Sequence, residues 1–387
     1  MTPAARLSAA IAVLDLVLAG MPAGQALADW GRASRFAGSG DRAAVRDTVF
    51  EALRCRRSFA ALGGSETGRG LVLGGLRAAG VDPATLFTGE GHAPAPLTDG
   101  EAQNPAPLEE LVALDCPDWL APALKHSLGT DFAPVMRLLR RRAPVFLRVN
   151  RSRLTRDQAQ ARLATEGIVT RPHGLAPDAL EVTGNARKIS ASAAYRDGSV
   201  ELQDVASQAI AQAIPLAEGA RVLDFCAGGG GKTLAMGARL PLRLFAHDVE
   251  PGRMRDLPQR AGRAGICVQL LDGAAVARAA PFDLVLADAP CSGSGSWRRD
   301  PEGKWRLTDA RLAQACALQA QILDRCAALV AAGGRLAYVT CSLLEAENRT
   351  QIMHFLRRHP GWKPESELCL TPLQGGDGFY LAVLARG

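Results

Sequence analysis

Two cysteines follow apolar runs that read as buried strands. Cys291 stands in Asp288-Ala-Pro-Cys-Ser-Gly-Ser-Gly295 and Cys341 in Val339-Thr-Cys-Ser342. A third motif, Asp224-Phe-Cys-Ala-Gly-Gly-Gly-Gly-Lys-Thr233, sets four glycines between a strand-like run and a helical one. Glycines at such a turn let the backbone approach a ligand, and the helix start offers free amides. A Walker A loop needs glycine where Cys226 stands, and a strict G-x-G-x-x-G needs it at Thr233. The remaining ligand is S-adenosylmethionine, whose methionine moiety suits a tight glycine turn. Asp248, at the end of the next apolar run, suits a ribose diol. Asp272, after the third run, is placed for the adenine edge.

A methyl donor beside two rim cysteines points to methylation of a pyrimidine at carbon-5. That carbon is a poor nucleophile. A thiolate that adds to carbon-6 converts the ring to an enamine, which makes carbon-5 reactive. An acid at ring N3 assists the addition, and Asp288 is positioned to be that acid. The residues alone leave open which cysteine attacks, since a Pro-Cys nucleophile, as in DNA cytosine-5 methyltransferases, would be Cys291. Six other cysteines, 55, 116, 267, 316, 326 and 369, read as packing residues. No pair has C-x-x-C spacing and the total of nine is odd. Neither a zinc site nor a secreted disulfide framework is expected, so the thiols should be reduced in the cytoplasm.

The elements that must carry these residues follow from pattern. Apolar runs at 221–225, 243–247, 267–271, 282–287 and 335–339 alternate with helical stretches, which predicts a doubly wound parallel sheet. The run 379–384 follows a short connection, which suits an antiparallel hairpin. Upstream, 144–149, 168–170 and 179–182 read as strands. The stretch 155–166 reads as a helix capped by Thr155. This small α+β module is expected over 111–205, after a Pro/Gly-rich linker at 91–110 and a helical region at 1–90. The methyl-transfer domain is expected over 206–387. In the helical region, Leu7, Ile11, Leu14 and Leu18 share one helix face, and a second helix is expected over 42–62. No apolar run is long enough for a membrane span.

The chain has 387 residues and a net charge of +6, which permits a polyanionic partner without requiring one. The excess is local. Eight arginines and no acid lie between Arg137 and Arg156, among them Arg140, Arg148 and Arg151. A second cluster follows Cys291, with Trp297, Arg298, Arg299, Lys304, Trp305 and Arg306. Both are expected to meet RNA, the second by stacking on a splayed strand.

Residues 206–387 resemble the Nop/Sun family of RNA 5-methylcytosine methyltransferases. The resemblance rests on the motifs at 224–233 and 288–295, on Arg299-Asp-Pro-Glu-Gly-Lys-Trp305, and on Thr340-Cys-Ser342 with Glu345 and Asn348. Leu147-Arg-Val-Asn150 and Gln203-Asp204 resemble the family's RNA-binding module, while the first ninety residues only faintly resemble a NusB-like domain. The resemblance implies a class I methyltransferase fold, Rossmann-like and mostly parallel with an antiparallel C-terminal strand. It assigns Cys226, Ala227, Gly228, Gly229, Gly230, Gly231, Lys232, Asp248, Asp272 and Asp288 to the cofactor. It makes Cys341 the nucleophile and Cys291 the residue that assists product release. Ribosomal RNA, or a ribosome-assembly intermediate, is the expected partner of a monomeric enzyme. The same chemistry on tRNA and a catalytically idle assembly factor are the alternatives.

One departure stands out. The family loop usually reads C-A-A-P-G-G-K, and Gly228-Gly229 here replaces Ala-Pro. Loss of the fixed proline φ is expected to loosen the free loop and weaken cofactor affinity. Gly229→Pro is then expected to tighten it.

Overall fold

The computed structural model describes Met1–Gly387 and divides the chain into two units. One comprises Met1–Arg142 with Trp297–Arg306; the other comprises Ala143–Ser296 with Leu307–Gly387. This division differs from the expected one in three places, the first being Trp297–Arg306, which was expected within 206–387. Residues 111–142 group with the N-terminal helices, and the rest of the small module groups with the methyl-transfer domain.

In the first unit, helices Pro3–Leu18, Ala23–Ala33, Ser39–Arg54, Arg56–Gly63 and Gly68–Ala78 bury one face each. Leu14, Val45, Val49, Leu53, Leu71 and Leu73 meet in a single core. The helix expected over 42–62 is two helices that break at Cys55 and end at Gly64, whose φ of 80° suits glycine. Arg140 is drawn inward here. Its Nε donates to fully buried Asp115 at 2.7 Å, and Asp115 also accepts from the Ser58 hydroxyl and amide.

The segment Trp297–Arg306 corrects an expectation. Trp297 and Lys304 are each only 1% exposed. Lys304 Nζ donates to Arg54 O at 3.1 Å, and Trp305 Nε1 donates to Leu53 O at 2.6 Å. Those carbonyls belong to the last turn of Ser39–Arg54, where a helix has no partners of its own and where its dipole favours a cation. Lys304 is therefore a helix-capping residue and not part of an RNA surface. Burial pulls its ammonium down to about 8.

The second unit holds two sheets. Strands β1 Val145–Val149, β2 Val169–Pro172, β3 Ala179–Gly184 and β4 Val200–Leu202 form an antiparallel sheet in the order β2-β3-β1-β4. Only β4 lacked a sequence signal. Thr155 caps the helix Arg156–Thr165 through a reciprocal box with Gln158. The larger sheet contains β5 Arg221–Asp224, β6 Arg243–Ala246, β7 Val268–Leu270, β8 Phe282–Asp288, β9 Val330–Thr340, β10 Trp362–Leu370 and β11 Phe379–Arg386. Its order is β10-β11-β9-β8-β5-β6-β7. The pairs among β5 to β9 are parallel; β10 and β11 form the expected hairpin, with β11 antiparallel to β9.

Alternate residues feed two cores, one per sheet face. Leu223, Val285, Leu336 and Tyr338 enter one, and Val222, Leu284, Leu286 and Val339 the other. The strand order reverses between β5 and β8, so the site belongs at the carboxyl ends of β5, β8 and their neighbours. No helix is long and apolar enough to cross a membrane.

Candidate active site

Beyond β5 the chain turns through Phe225–Gly230 into the helix Gly231–Gly237. Gly228 and Gly230 have φ of 50° and 76°, and a Cβ at Gly230 would overlap Leu257. Only glycine fits both demands at Gly230. Asp248, just past β6, holds the loop: its carboxylate accepts from Gly228 N at 2.9 Å and from Glu250 N at 3.0 Å. Asp272 caps the helix Gly273–Ala279 and is exposed. Asp224 is buried and accepts from Thr233 Oγ1 at 2.6 Å, while its other oxygen has no partner. Burial raises its carboxyl to about 7.

This lining fits S-adenosylmethionine. Carboxylates suit its sulfonium, its ammonium and its ribose hydroxyls, and the glycine turn leaves its backbone open to approach. Cys226 lies nearby, but burial pushes its thiol well up, which leaves it a packing atom.

Lys232 does not point to solvent. Its Nζ donates to Asp288 Oδ2 at 2.7 Å and lies 4.8 Å from the Phe379 ring centre. Burial alone would lower this ammonium, but the Asp288 charge and hydrogen bond outweigh it and hold it above its usual value.

Cys291 and Cys341 follow the neighbouring parallel strands β8 and β9, which brings them side by side. Their sulfurs are 3.4 Å apart, and both cysteines are free. That is a hydrogen-bond distance and far from a disulfide. Their surroundings are unequal. The hydrogen bond with Cys291 lowers the Cys341 thiol, and the Lys232 ammonium adds to this against burial and the Asp288 charge. The same hydrogen bond, with burial and the charges of Cys341 and Glu347, pushes Cys291 well up. These shifts run in opposite directions, which makes Cys341 the more acidic thiol of the pair.

Glu347 is the residue that motif reading missed. It is fully buried in the turn after β9. Its carboxylate accepts from Ser292 N at 2.8 Å, from Gln319 Nε2 at 3.0 Å, and from the hydroxyls of Ser292 and Ser342. One carboxylate therefore ties together the serines that follow both cysteines. Asn348 adds a bond from Nδ2 to Ser342 O at 2.9 Å. The repeated Cys-Ser pair, at 291–292 and 341–342, is the signal in the sequence that points to it.

The expected RNA contacts separate. Arg151 and Arg299 are exposed. Arg148 is 7% exposed and points inward, which removes it from any RNA surface: its guanidinium donates to Gly231 O at 3.0 Å and to Gln203 Oε1. Burial lowers it to about 10, still charged at neutral pH. Of the six cysteines expected to pack, 55, 116 and 326 are buried and Cys316 is half-buried, whereas Cys267 and Cys369 are exposed and do not fit that expectation. No cluster of potential metal ligands occurs.

Comparison with known proteins gives a consistent result. A family model described as 16S rRNA methyltransferase RsmB/F matches residues 211–384. A second, the ferredoxin-like domain of RsmF/B-like methyltransferases, matches 116–188. The chain is 34% identical over 284 residues to ribosomal RNA small subunit methyltransferase B of Citrobacter koseri, covering 70% of this chain and 66% of that protein. It is 38% identical over 250 residues to the Xanthomonas campestris pv. campestris protein of the same name, covering 62% and 57%. The aligned part thus spans two-thirds or less of those relatives. Among solved structures, PH0851 superposes with a TM-score of 0.79 at 24% identity, covering 100% of this chain and 99% of its own. A methyltransferase homologue from Pyrococcus horikoshii gives 0.63 at 21%, covering 72% and 98%. These likenesses show the fold.

Proposed function

The chain belongs to the RsmB/F family of 16S rRNA methyltransferases, and from that premise we propose that it methylates cytosine at carbon-5 in ribosomal RNA through a covalent Cys341 adduct. The observation that carries the reading is the pair of free thiols 3.4 Å apart, whose shared hydrogen bond lowers Cys341 and raises Cys291.

The loop Cys226–Lys232, with Asp248, Asp272 and Asp288, would hold S-adenosylmethionine. When bound, it supplies an electrophilic methyl group for the activated carbon-5. The target cytosine must be single-stranded or flipped out, because carbon-6 is closed to a thiolate within a stack. Cys341 adds to carbon-6 as the thiolate. Asp288, with Lys232 as its proton-bearing partner, protonates N3 and so stabilises the adduct. Once bonded to carbon, Cys341 carries no negative charge. The largest cause of the raised Cys291 thiol is then gone, so Cys291 gives its own proton to water and, as the thiolate, takes the carbon-5 proton. Loss of that proton expels Cys341 as the thiolate, and N3 returns its proton to the Asp288–Lys232 pair, which releases neutral 5-methylcytosine.

The testing experiment is methyl transfer from labelled S-adenosylmethionine to unmodified 16S rRNA, free and in small-subunit particles, followed by bisulfite sequencing. Label at a cytosine carbon-5 is expected. Label confined to tRNA would move the substrate, and label on a base nitrogen would overturn the reaction.

A further inference from the structure

We infer that Arg260, with Arg148, pre-organises the four-glycine loop and supplies the rigidity that its Gly228-Gly229 pair lacks. This rests on the reading of the loop as the S-adenosylmethionine site. The amides of the loop are held from one side: Gly228 N donates to Asp248, Gly230 N to Ala227 O at 2.8 Å, and Ala227 N to His247 O at 2.9 Å. Its carbonyls are held by arginines. The Arg260 guanidinium donates to Gly229 O, and the Arg148 guanidinium donates to Gly231 O.

Both arginines are anchored in the small sheet. Arg260 pairs with Glu201 at 3.4 Å, and Glu201 also pairs with Arg263 at 2.9 Å. Arg148 lies on β1 and shares Gln203, just beyond β4, whose amide goes on to Ser207 Oγ at 3.1 Å. Asn150 Nδ2 bonds Gly198 O at 3.1 Å and Ala264 O at 2.9 Å, fixing β1 to the helix that bears Arg260. The module expected to hold RNA is thus the frame of the cofactor loop.

Space makes the arrangement specific. A Cβ at Gly229 would stand 2.9 Å from Arg260 Nη1, and one at Gly228 would stand 3.3 Å from Arg253 Nη2. The guanidinium of Arg260 occupies the volume that a side chain at 229 would fill. Gly229 admits the clamp, and the clamp replaces the restraint that a proline ring would give. The expected looseness of the loop is therefore countered, and Gly229→Pro in the wild type gains little, because the ring and the guanidinium compete for one space.

The test compares wild type, Arg260→Met, Gly229→Pro and the double variant, all as the full chain. Calorimetric titration with S-adenosylmethionine reads affinity, and amide hydrogen exchange of the free proteins reads loop order. Arg260→Met is expected to weaken binding about tenfold, the scale of one charge-assisted hydrogen bond, and to speed exchange at 228–231. Adding Gly229→Pro to Arg260→Met is expected to restore most of both, which no general loss of stability would do. Unchanged exchange and affinity in Arg260→Met, or no rescue by proline, would overturn the inference. If wild type itself fails to bind S-adenosylmethionine, the assignment of the site falls, and the exchange measurements still decide the clamp.

Discussion

Glu347 bonds both Ser292 and Ser342, the residues that immediately follow the paired cysteines Cys291 and Cys341. A single buried carboxylate so fixes the separation of two thiols carried by different strands. Its charge also adds to the rise of the Cys291 thiol, after the hydrogen bond with Cys341, burial and the Cys341 charge.

Replacing Glu347 separates these two roles. Glu347→Ala leaves several buried donors without an acceptor and is expected to cost roughly 3 kcal/mol of stability, read by urea unfolding. Glu347→Gln keeps part of the bonding and removes the charge. It is expected to fold, to lower the Cys291 thiol and to speed alkylation of Cys291 in a Cys341→Ala background. Equal alkylation rates with and without the charge would contradict this electrostatic role.

The cysteine variants are expected to fail differently. Cys341→Ala should abolish methyl transfer by about 10⁴-fold or more, as loss of a covalent nucleophile does. Cys291→Ala should still form the adduct but release it slowly, leaving a protein–RNA complex stable in denaturing gels. Full activity of Cys341→Ala would end the assignment.

Lys232 bears on the pH profile. The Cys341 thiol is lowered from its ordinary value of 9.0, so the rising limb of its alkylation rate against pH should lie below that value. Removing the ammonium favours the protonated thiol. Lys232→Met is therefore expected to shift the limb to higher pH, as followed with iodoacetamide from pH 6 to about 10.

Asp224 governs a stability window. Its carboxyl is raised by burial from 3.8 to about 7 in the fold. Below pH 3.8 the folded and unfolded chains both hold the proton. Between 3.8 and 7 the unfolded chain releases it first, so this group makes stability fall as pH rises, and the loss levels off above 7. Asp224→Asn removes the charge and is expected to gain stability at pH 7, by up to about 4 kcal/mol. Its advantage should vanish near pH 3.5, as urea titrations at both pH values would show.

The arginine and lysine placements are tested by salt dependence. Arg151 is exposed, and removing one phosphate contact lowers the slope of log affinity against log salt by about 1. Arg151→Met is expected to do so. Lys304→Met is expected to leave the slope unchanged and to alter only folding stability, because Lys304 caps a helix from inside the protein.

Much of this site was legible along the chain. Asp224, Asp248, Asp272, Asp288, Cys291 and Cys341 all sit where an apolar run ends, and a parallel sheet collects such ends on one rim. The Thr155 cap and the β10–β11 hairpin were legible for the same reason, since each is set by residues a few positions apart. The local glycines marked the cofactor turn.

Only the tertiary structure decided the rest. Arg148 and Lys304 belong to basic clusters that read as surfaces, yet each answers a backbone carbonyl far away in sequence, Gly231 O and Arg54 O. Glu347 looks like any acid near a helix start until the fold brings Ser292, Ser342 and Gln319 to it. A side chain's type states what it can bond, and strand periodicity states which way it faces. Whether a buried charge meets a partner depends on which distant segments fold against it, and burial is what gives that meeting its energy.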